Sequence, residues 1–192
     1  MCDSVSTFVW LWVHSGAGPV GEEAISNNPN DVTILWRAGY ALNGFNSGNQ
    51  EKQALGRECV ERAARSDTVV GRVAQAYRIM QGWGRHEDEP GAARLLGELV
   101  ATTASPDAQH LLGVCYYDGW GVQQSAPEAV RLWTLAAEQG HASAQYALGC
   151  CYYERDEVKA KKLWQMAASQ GHPKAATSLI WVPPTVGSLQ NW

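Results

Sequence analysis

Two stretches of this chain are near copies of each other. AQHLLGVCYYDG, from Ala108, returns as AQYALGCCYYER from Ala144, an offset of 36 residues that pairs Gly113 with Gly149, Cys115 with Cys151, and Tyr116 and Tyr117 with Tyr152 and Tyr153. RLWTLAAEQGHAS then returns as KLWQMAASQGHPK at an offset of 31, pairing Trp133 with Trp164, Ala136 and Ala137 with Ala167 and Ala168, and Gly140 and His141 with Gly171 and His172. The shortfall lies between Tyr153 and Val158, where the first copy carries DGWGV and the second ERDEV, so a turn is shortened and both helices survive. Units of this length cannot bury their apolar faces alone; they stack on their neighbours into an elongated array.

Each copy reads as a pair of helices. Leu111, Leu112, Cys115 and Tyr116 recur at helical spacing until Gly119 and Gly121 break the pattern. Pro127 opens a second helix, whose apolar face of Ala129, Leu132, Trp133, Ala136 and Ala137 stops at Gly140. Gly113 and Gly149 fall in mid-helix, where each costs about 1 kcal/mol relative to Ala. Close approach of a second helix backbone would offset that cost, with Ala136, Ala137, Ala167 and Ala168 as the small surface opposite. A fainter copy 37 residues upstream lays QGWG from Gln81 over DGWG from Asp118, and EPGAARLL from Glu89 over APEAVRLW from Ala126. Earlier still, AISNNPNDVTILWRAGYAL crosses a turn at Asn27 to Asp31 into a helix whose antiparallel partner is EKQALGRECVERAARS. KAATSLIW, Lys174 to Trp181, restarts a first helix as a C-terminal cap, and PPTVGSLQNW reads as a loose tail. The expected fold is all-α, with about four helix pairs, a capping helix and essentially no sheet. FVWLWV, at residues 8–13, has strand-favouring residues but also suits an N-terminal capping helix.

Composition narrows the function classes. Of 192 residues 45% are hydrophobic and 18% charged, enough apolar surface to fold. Fifteen Lys and Arg against nineteen Asp and Glu leave a net charge of -4, without the basic excess of a nucleic-acid binder. FVWLWV, the longest apolar run, is far short of the ~20 residues that span a bilayer, and MCDSVST lacks the basic residues of an export signal. Cys2, Cys59, Cys115, Cys150 and Cys151 are odd in number and match no disulfide framework. A cytoplasmic protein is expected, with neither nucleic acid nor membrane as its partner.

AQHLLGVCYYDGWGV, EAVRLWTLAAEQGHASAQYALG and KAKKLWQMAASQGHPKA resemble Sel1-like repeats, a subgroup of the tetratricopeptide-type helical repeats. The resemblance runs over residues 71 to 181, and AISNNPNDVTILWRAGYAL is similar to an ordinary tetratricopeptide unit, with Pro29 at the turn and Gly39 at the small position. The second repeat lacks the GxGV loop, the upstream unit has Leu96 in place of Trp, and residues 1–18 match nothing. The organisation expected is a segment of uncertain structure at 1–18, a tetratricopeptide-like pair at 19–68, Sel1-like repeats at 69–181 and a tail at 182–192. The resemblance implies a right-handed superhelix of antiparallel helix pairs serving as an adaptor or scaffold. Some relatives of this kind are secreted with disulfides between neighbouring repeats; Ala137 and Ala144 or Gln145 hold those positions here.

Several local motifs suggest chemistry and fail on context. GAGPVG, Gly16 to Gly21, has the G-x-G-x-x-G form, but only EEAISN separates it from Asn28 and Pro29, too short for the helix a dinucleotide site needs, and no Lys follows to make a phosphate loop. His141 and His172 occupy one turn position of successive repeats, and stacked helices stand 8 to 10 Å or more apart, roughly too far to share a zinc ion. Cys150 and Cys151 diverge around a helix, Cys151 toward the core and Cys150 elsewhere. No S-x-x-K or G-x-S-x-G sequence is present, although β-lactam hydrolysis has been attributed to some Sel1-like proteins. Glu22 and Glu23, and Glu87 to Glu89, suit helix starts. Neither catalytic residues, nor a metal, nor a cofactor is expected.

The aromatic residues indicate a binding face. Trp133, Trp164, Tyr116 and Tyr152 are expected in packing. Tyr117 and Tyr153 lie about 100° around the first helices, which line the concave side of such arrays. The Gly113 register then places Asp107, His110, Val114, Tyr117 and Asp118 on that face, followed by Ser143, Tyr146, Cys150, Tyr153 and Glu154, with Val73, Tyr77 and Gln81 extending it upstream. The strip is aromatic and acidic, suited to a peptide or protein partner with apolar anchors and Lys or Arg. The alternatives are a cryptic hydrolase using Cys150 or a histidine, and a self-associating structural protein.

Overall fold

The computed structural model describes residues 22–45, 50–83 and 89–181, and every regular element within them is helical. A short α1 (Glu22–Asn27) precedes four consecutive pairs: α2 (Val32–Phe45) with α3 (Gln50–Ala63), α4 (Val69–Met80) with α5 (Glu89–Thr103), α6 (Pro106–Asp118) with α7 (Ala126–Glu138), and α8 (Ala142–Tyr152) with α9 (Glu157–Ser169). A single α10 (Pro173–Trp181) closes the array. Each pair packs on itself and the second helix packs on the next first helix, while α2 also touches α4 and α4 touches α6. The expected four pairs and capping helix are present. FVWLWV, GAGPVG and the tail lie outside the described residues.

The repeat is carried by caps as much as by apolar spacing. Each first helix opens on a side chain that accepts a backbone N–H of its first turn: Asp31 from Thr33 and Ile34, Thr68 from Gly71, Ser105 from Ala108, His141 from Ala144 and His172 from Ala175. The preceding turn explains the recurring QGH. Gly140 and Gly171 adopt φ of +84° and +83°, the left-handed stop of α7 and α9. Their N–H groups donate to Ala137 and Ala168, and those of His141 and His172 to Ala136 and Ala167. The glutamine reaches sideways: Gln139 Nε2 donates to Gln109 Oε1 and Gln170 Nε2 to Gln145 Oε1, both at 2.8 Å. Three consecutive residues thus end one helix, tie it to its pair and begin the next.

At the mid-helix glycines the structure corrects the sequence reading. A Cβ on Gly113 would fall inside the Trp133 indole, and one on Gly149 inside that of Trp164; a tryptophan ring, and not a second backbone, occupies the space. Each indole N–H donates to a carbonyl of the glycine's own helix, Trp133 to His110 at 3.1 Å and Trp164 to Tyr146 at 3.2 Å. Backbone approach does hold at Gly39, where a Cβ would meet the Gly56 carbonyl and the Val60 amide. The shortened turn after Tyr152 is closed by Asp156, whose carboxylate accepts from the Lys159 amide at 2.9 Å.

Candidate functional site

One repeated position changes size along the array. The residue after the small mid-helix residue is Tyr40 in the first pair and Tyr77 in the second, but Val114 in the third and Cys150 in the fourth. Between α6 and α8, bounded by Tyr40 of α2 and the first turn of α10, a cavity of about 370 Å³ is left. Tyr40, Tyr117, Trp133, Tyr146 and the rings of His110 and His172 form its walls, and Ser143, Cys150 and Lys174 add polar groups.

Of the residues expected on this face, His110, Tyr117, Ser143, Tyr146 and Cys150 meet at the cavity. Tyr117 is 50% exposed and tilts over Trp133 with ring centres 5.4 Å apart; Tyr153, 41% exposed, repeats the arrangement on Trp164 at 5.5 Å. Asp118 and Glu154 are exposed one residue beyond each tyrosine, and Val114 is partly buried. Tyr153 and Glu154 lie on the face beyond the cavity and do not line it.

Three expected exposures are wrong. Tyr77 and Val73 are buried because the preceding pair covers them: Tyr77 packs edge-on against Trp36, Tyr40 and Trp83, with ring centres 5.2 to 5.9 Å apart. The face therefore does not extend through the upstream unit as read from the register. His110 is buried as well, although it lines the cavity. The Tyr40 hydroxyl lies 3.0 Å from His110 Nε2, and the His141 ring stacks on His110 with centres 4.8 Å apart.

These contacts fix protonation. Burial, reinforced by His141, holds His110 well below the usual histidine range, so its ring is neutral near pH 7. His110 Nδ1 is buried without a hydrogen-bond partner among the described residues. Burial pushes the Tyr40 hydroxyl up to about 12 against the opposing hydrogen bond with Ser143. His141 uses Nδ1 to accept from Ala144, so its proton sits on Nε2 and donates to Asp107 Oδ1 at 3.3 Å. Burial works to raise the Asp107 carboxyl, but the His141 and Trp36 hydrogen bonds prevail and lower it. His172 stacks on Tyr146 with centres 4.6 Å apart, and burial with the Lys174 charge lowers it to about 4.

Asp107, His141 and Ser143 thus lie close together without forming a nucleophilic relay. Both His141 nitrogens are committed, to a helix cap and to Asp107, leaving neither for a hydroxyl. Among the described residues no group of three or more His, Cys, Asp or Glu side chains is placed to hold a metal ion, and no helix is long and apolar enough to cross a membrane. The sequence reading missed Tyr40, His172 and Lys174 as cavity residues. Tyr40 stands 70 positions from His110, beyond any local spacing. His172 was legible only as a turn residue, which it also is.

The described structure defines an α-solenoid of stacked helix pairs. Residues 106–141 and 142–172 match the family model of the Sel1 repeat; α4 and α5, similar in sequence, lie outside the match. A search of curated proteins finds no match. Among solved structures, the fold is similar to that of c5321, a protective antigen of uropathogenic Escherichia coli displaying an SLR fold, with a TM-score of 0.53 and 20% identity over 89% of this chain and 38% of that one. It is also similar to a Sel1 repeat protein from Oxalobacter formigenes, with a TM-score of 0.52 and 21% identity over 92% of this chain and 74% of that one. The chain therefore spans little more than a third of the length of the first. Sel1 repeat proteins are generally protein-interaction scaffolds, and their fold is typically non-catalytic.

Proposed function

We propose that this chain is an interaction scaffold that holds a peptide segment of a protein partner along the face made by α6, α8 and α10. An apolar anchor of the partner enters the cavity, and a Lys or Arg meets Asp118 or Glu154. The observation that carries this reading is the 370 Å³ space walled by Tyr40, Tyr117, Trp133 and Tyr146, since tyrosine and tryptophan give large contact area at low entropy cost.

The test uses the chain's own variation. Cys150→Tyr restores the residue type that the first two pairs carry and fills the cavity from its wall. Peptides selected on the full chain from a random displayed library are expected to contain an apolar or aromatic anchor. They are expected to bind Cys150→Tyr at least tenfold more weakly, about 1.4 kcal/mol, while circular dichroism shows unchanged helicity. Full affinity for that variant places the site elsewhere and refutes the reading.

A further inference from the structure

Within the cavity lining the charge is of one sign. Lys174 is its one charged residue and no carboxylate lines it. Lys174 lies in the first turn of α10 and is exposed, and none of the ion pairs among the described residues involves it. Ser143, in the first turn of α8, borders the same space. Two helix N-termini, the positive ends of their dipoles, therefore border the cavity. Asp107, whose charge reaches Tyr40 and His110, is not a lining residue, and its carboxylate already accepts from His141. The neighbouring walls are the flat rings of Tyr117, Trp133 and Tyr146. Beyond them, at the C-terminal ends of α6 and α8, stand Asp118 and Glu154, with Arg155 next in sequence and no basic residue in either last turn. One end of the face thus favours an acid and the other a base.

We infer that the cavity selects a peptide segment in which an aromatic residue is flanked by Asp or Glu, the ring entering between Tyr117, Trp133 and Tyr146 and the carboxylate pairing with Lys174. The inference rests on the peptide-site reading above and adds to it the sign of the charge beside the anchor. An internal residue of the partner fits better than a chain end, because Tyr153 continues the same face past the cavity and lets the partner chain run on.

The probe is a random library of twelve-residue displayed peptides, selected in parallel on the full chain, on Lys174→Glu and on Lys162→Glu, an exposed lysine of α9. Helicity of all three is matched by circular dichroism. The wild type and Lys162→Glu are expected to enrich Asp or Glu next to an aromatic residue, and Lys174→Glu to enrich Lys or Arg there. A selected peptide with its acid changed to the amide is expected to lose five- to tenfold on the wild type and nothing on Lys174→Glu. Aromatic peptides with no flanking charge preference, unchanged by Lys174→Glu, overturn this inference and leave the peptide site standing. Aliphatic anchors in place of aromatic ones on all three overturn this inference alone, and selection that yields neither an apolar nor an aromatic anchor on any of the three overturns both.

Discussion

Gly113→Ala tests the packing that repeats through the array, because two physical effects give it opposite signs. In an exposed helix interior the change stabilises by about 1 kcal/mol. Here the new methyl lands among Trp133 Nε1, Cδ1 and Cε2, with Cδ1 only 2.6 Å from the ideal Cβ position. The indole is buried and anchored by its hydrogen bond to the His110 carbonyl, so accommodating the methyl lifts the ring and strains that bond. Overpacking costs about 1–3 kcal/mol and the weakened hydrogen bond about 1 kcal/mol; against the gain in propensity the net loss is about 1–3 kcal/mol. The second pair shows how the chain itself resolves the conflict, with Ala76 at the glycine position and Leu96 at the tryptophan position, both fully buried. Trp133→Leu alone should cost about 2–4 kcal/mol through the cavity it leaves. The double variant should lose about 1–2 kcal/mol less than the sum of the two. Urea unfolding followed by far-UV circular dichroism measures all four proteins. Should Gly113→Ala prove neutral or stabilising, the glycine is not there to seat the indole, and the packing argument fails.

Acid should loosen the array through His172. Its folded value of about 4 lies below the ordinary 6.5, so the unfolded chain binds the proton first. The contribution is complete above pH 6.5 and is lost as pH falls toward 4, by up to about 3 kcal/mol; the urea midpoint should drop across that window, and His172→Asn, which keeps a cap acceptor, should flatten the slope. Tyr40→Phe removes the hydroxyl beside His110 Nε2 and should cost about 1–3 kcal/mol by leaving a buried ring nitrogen unpaired, measurable as a lower thermal midpoint; an unchanged midpoint would mean the 3.0 Å contact contributes nothing. Iodoacetamide on the native protein should label Cys150, which is exposed, and spare Cys59 and Cys115, each 1% exposed. Burial also raises the Cys59 thiol. Equal labelling of Cys115 and Cys150 by peptide mapping would contradict the assigned faces of the helices.

The helix pairs were legible because each boundary has a local cause. Gly140 and Gly171 stop helices by φ, Pro127 starts one, and the 36- and 31-residue offsets mark a shortened turn and leave both helices intact. The candidate face was legible only in part, since helical spacing gives the direction of a side chain relative to its own helix and not what covers it. Tyr77 and His110 point where the Gly113 register puts them, yet α2 brings Trp36 and Tyr40 over them. The partner of Gly113 was missed for the same reason. A small residue signals close approach, but only the fold shows that the approaching group is the Trp133 ring. The paired glutamines, Gln109 with Gln139 and Gln145 with Gln170, stand in both copies of the repeat, but their spacing alone does not show that they join the two helices of a pair.

Positions that hold the array together repeat their chemistry, while two positions on the cavity side of the first helices do not. In the two family-matched repeats the glycine, the tryptophan on it, the joining glutamines and the histidine cap are the same residues. The position three before the small residue runs Trp36, Val73, His110, Tyr146, and the one after it runs Tyr40, Tyr77, Val114, Cys150. Where that second position carries a tyrosine, the ring fills the inter-repeat space, as in the cluster of Trp36, Tyr40 and Tyr77. Where it falls to cysteine, at Cys150, a space stays open beside Tyr146 and His172. The cavity is therefore a local omission of packing in a framework that stays intact around it. Cys150→Tyr should accordingly close the site without loss of stability, because the framework already accepts that side chain at two equivalent positions. A drop in unfolding free energy of more than about 2 kcal/mol, the scale of a misfitted core residue, would show that the positions are not equivalent and that the cavity has another origin.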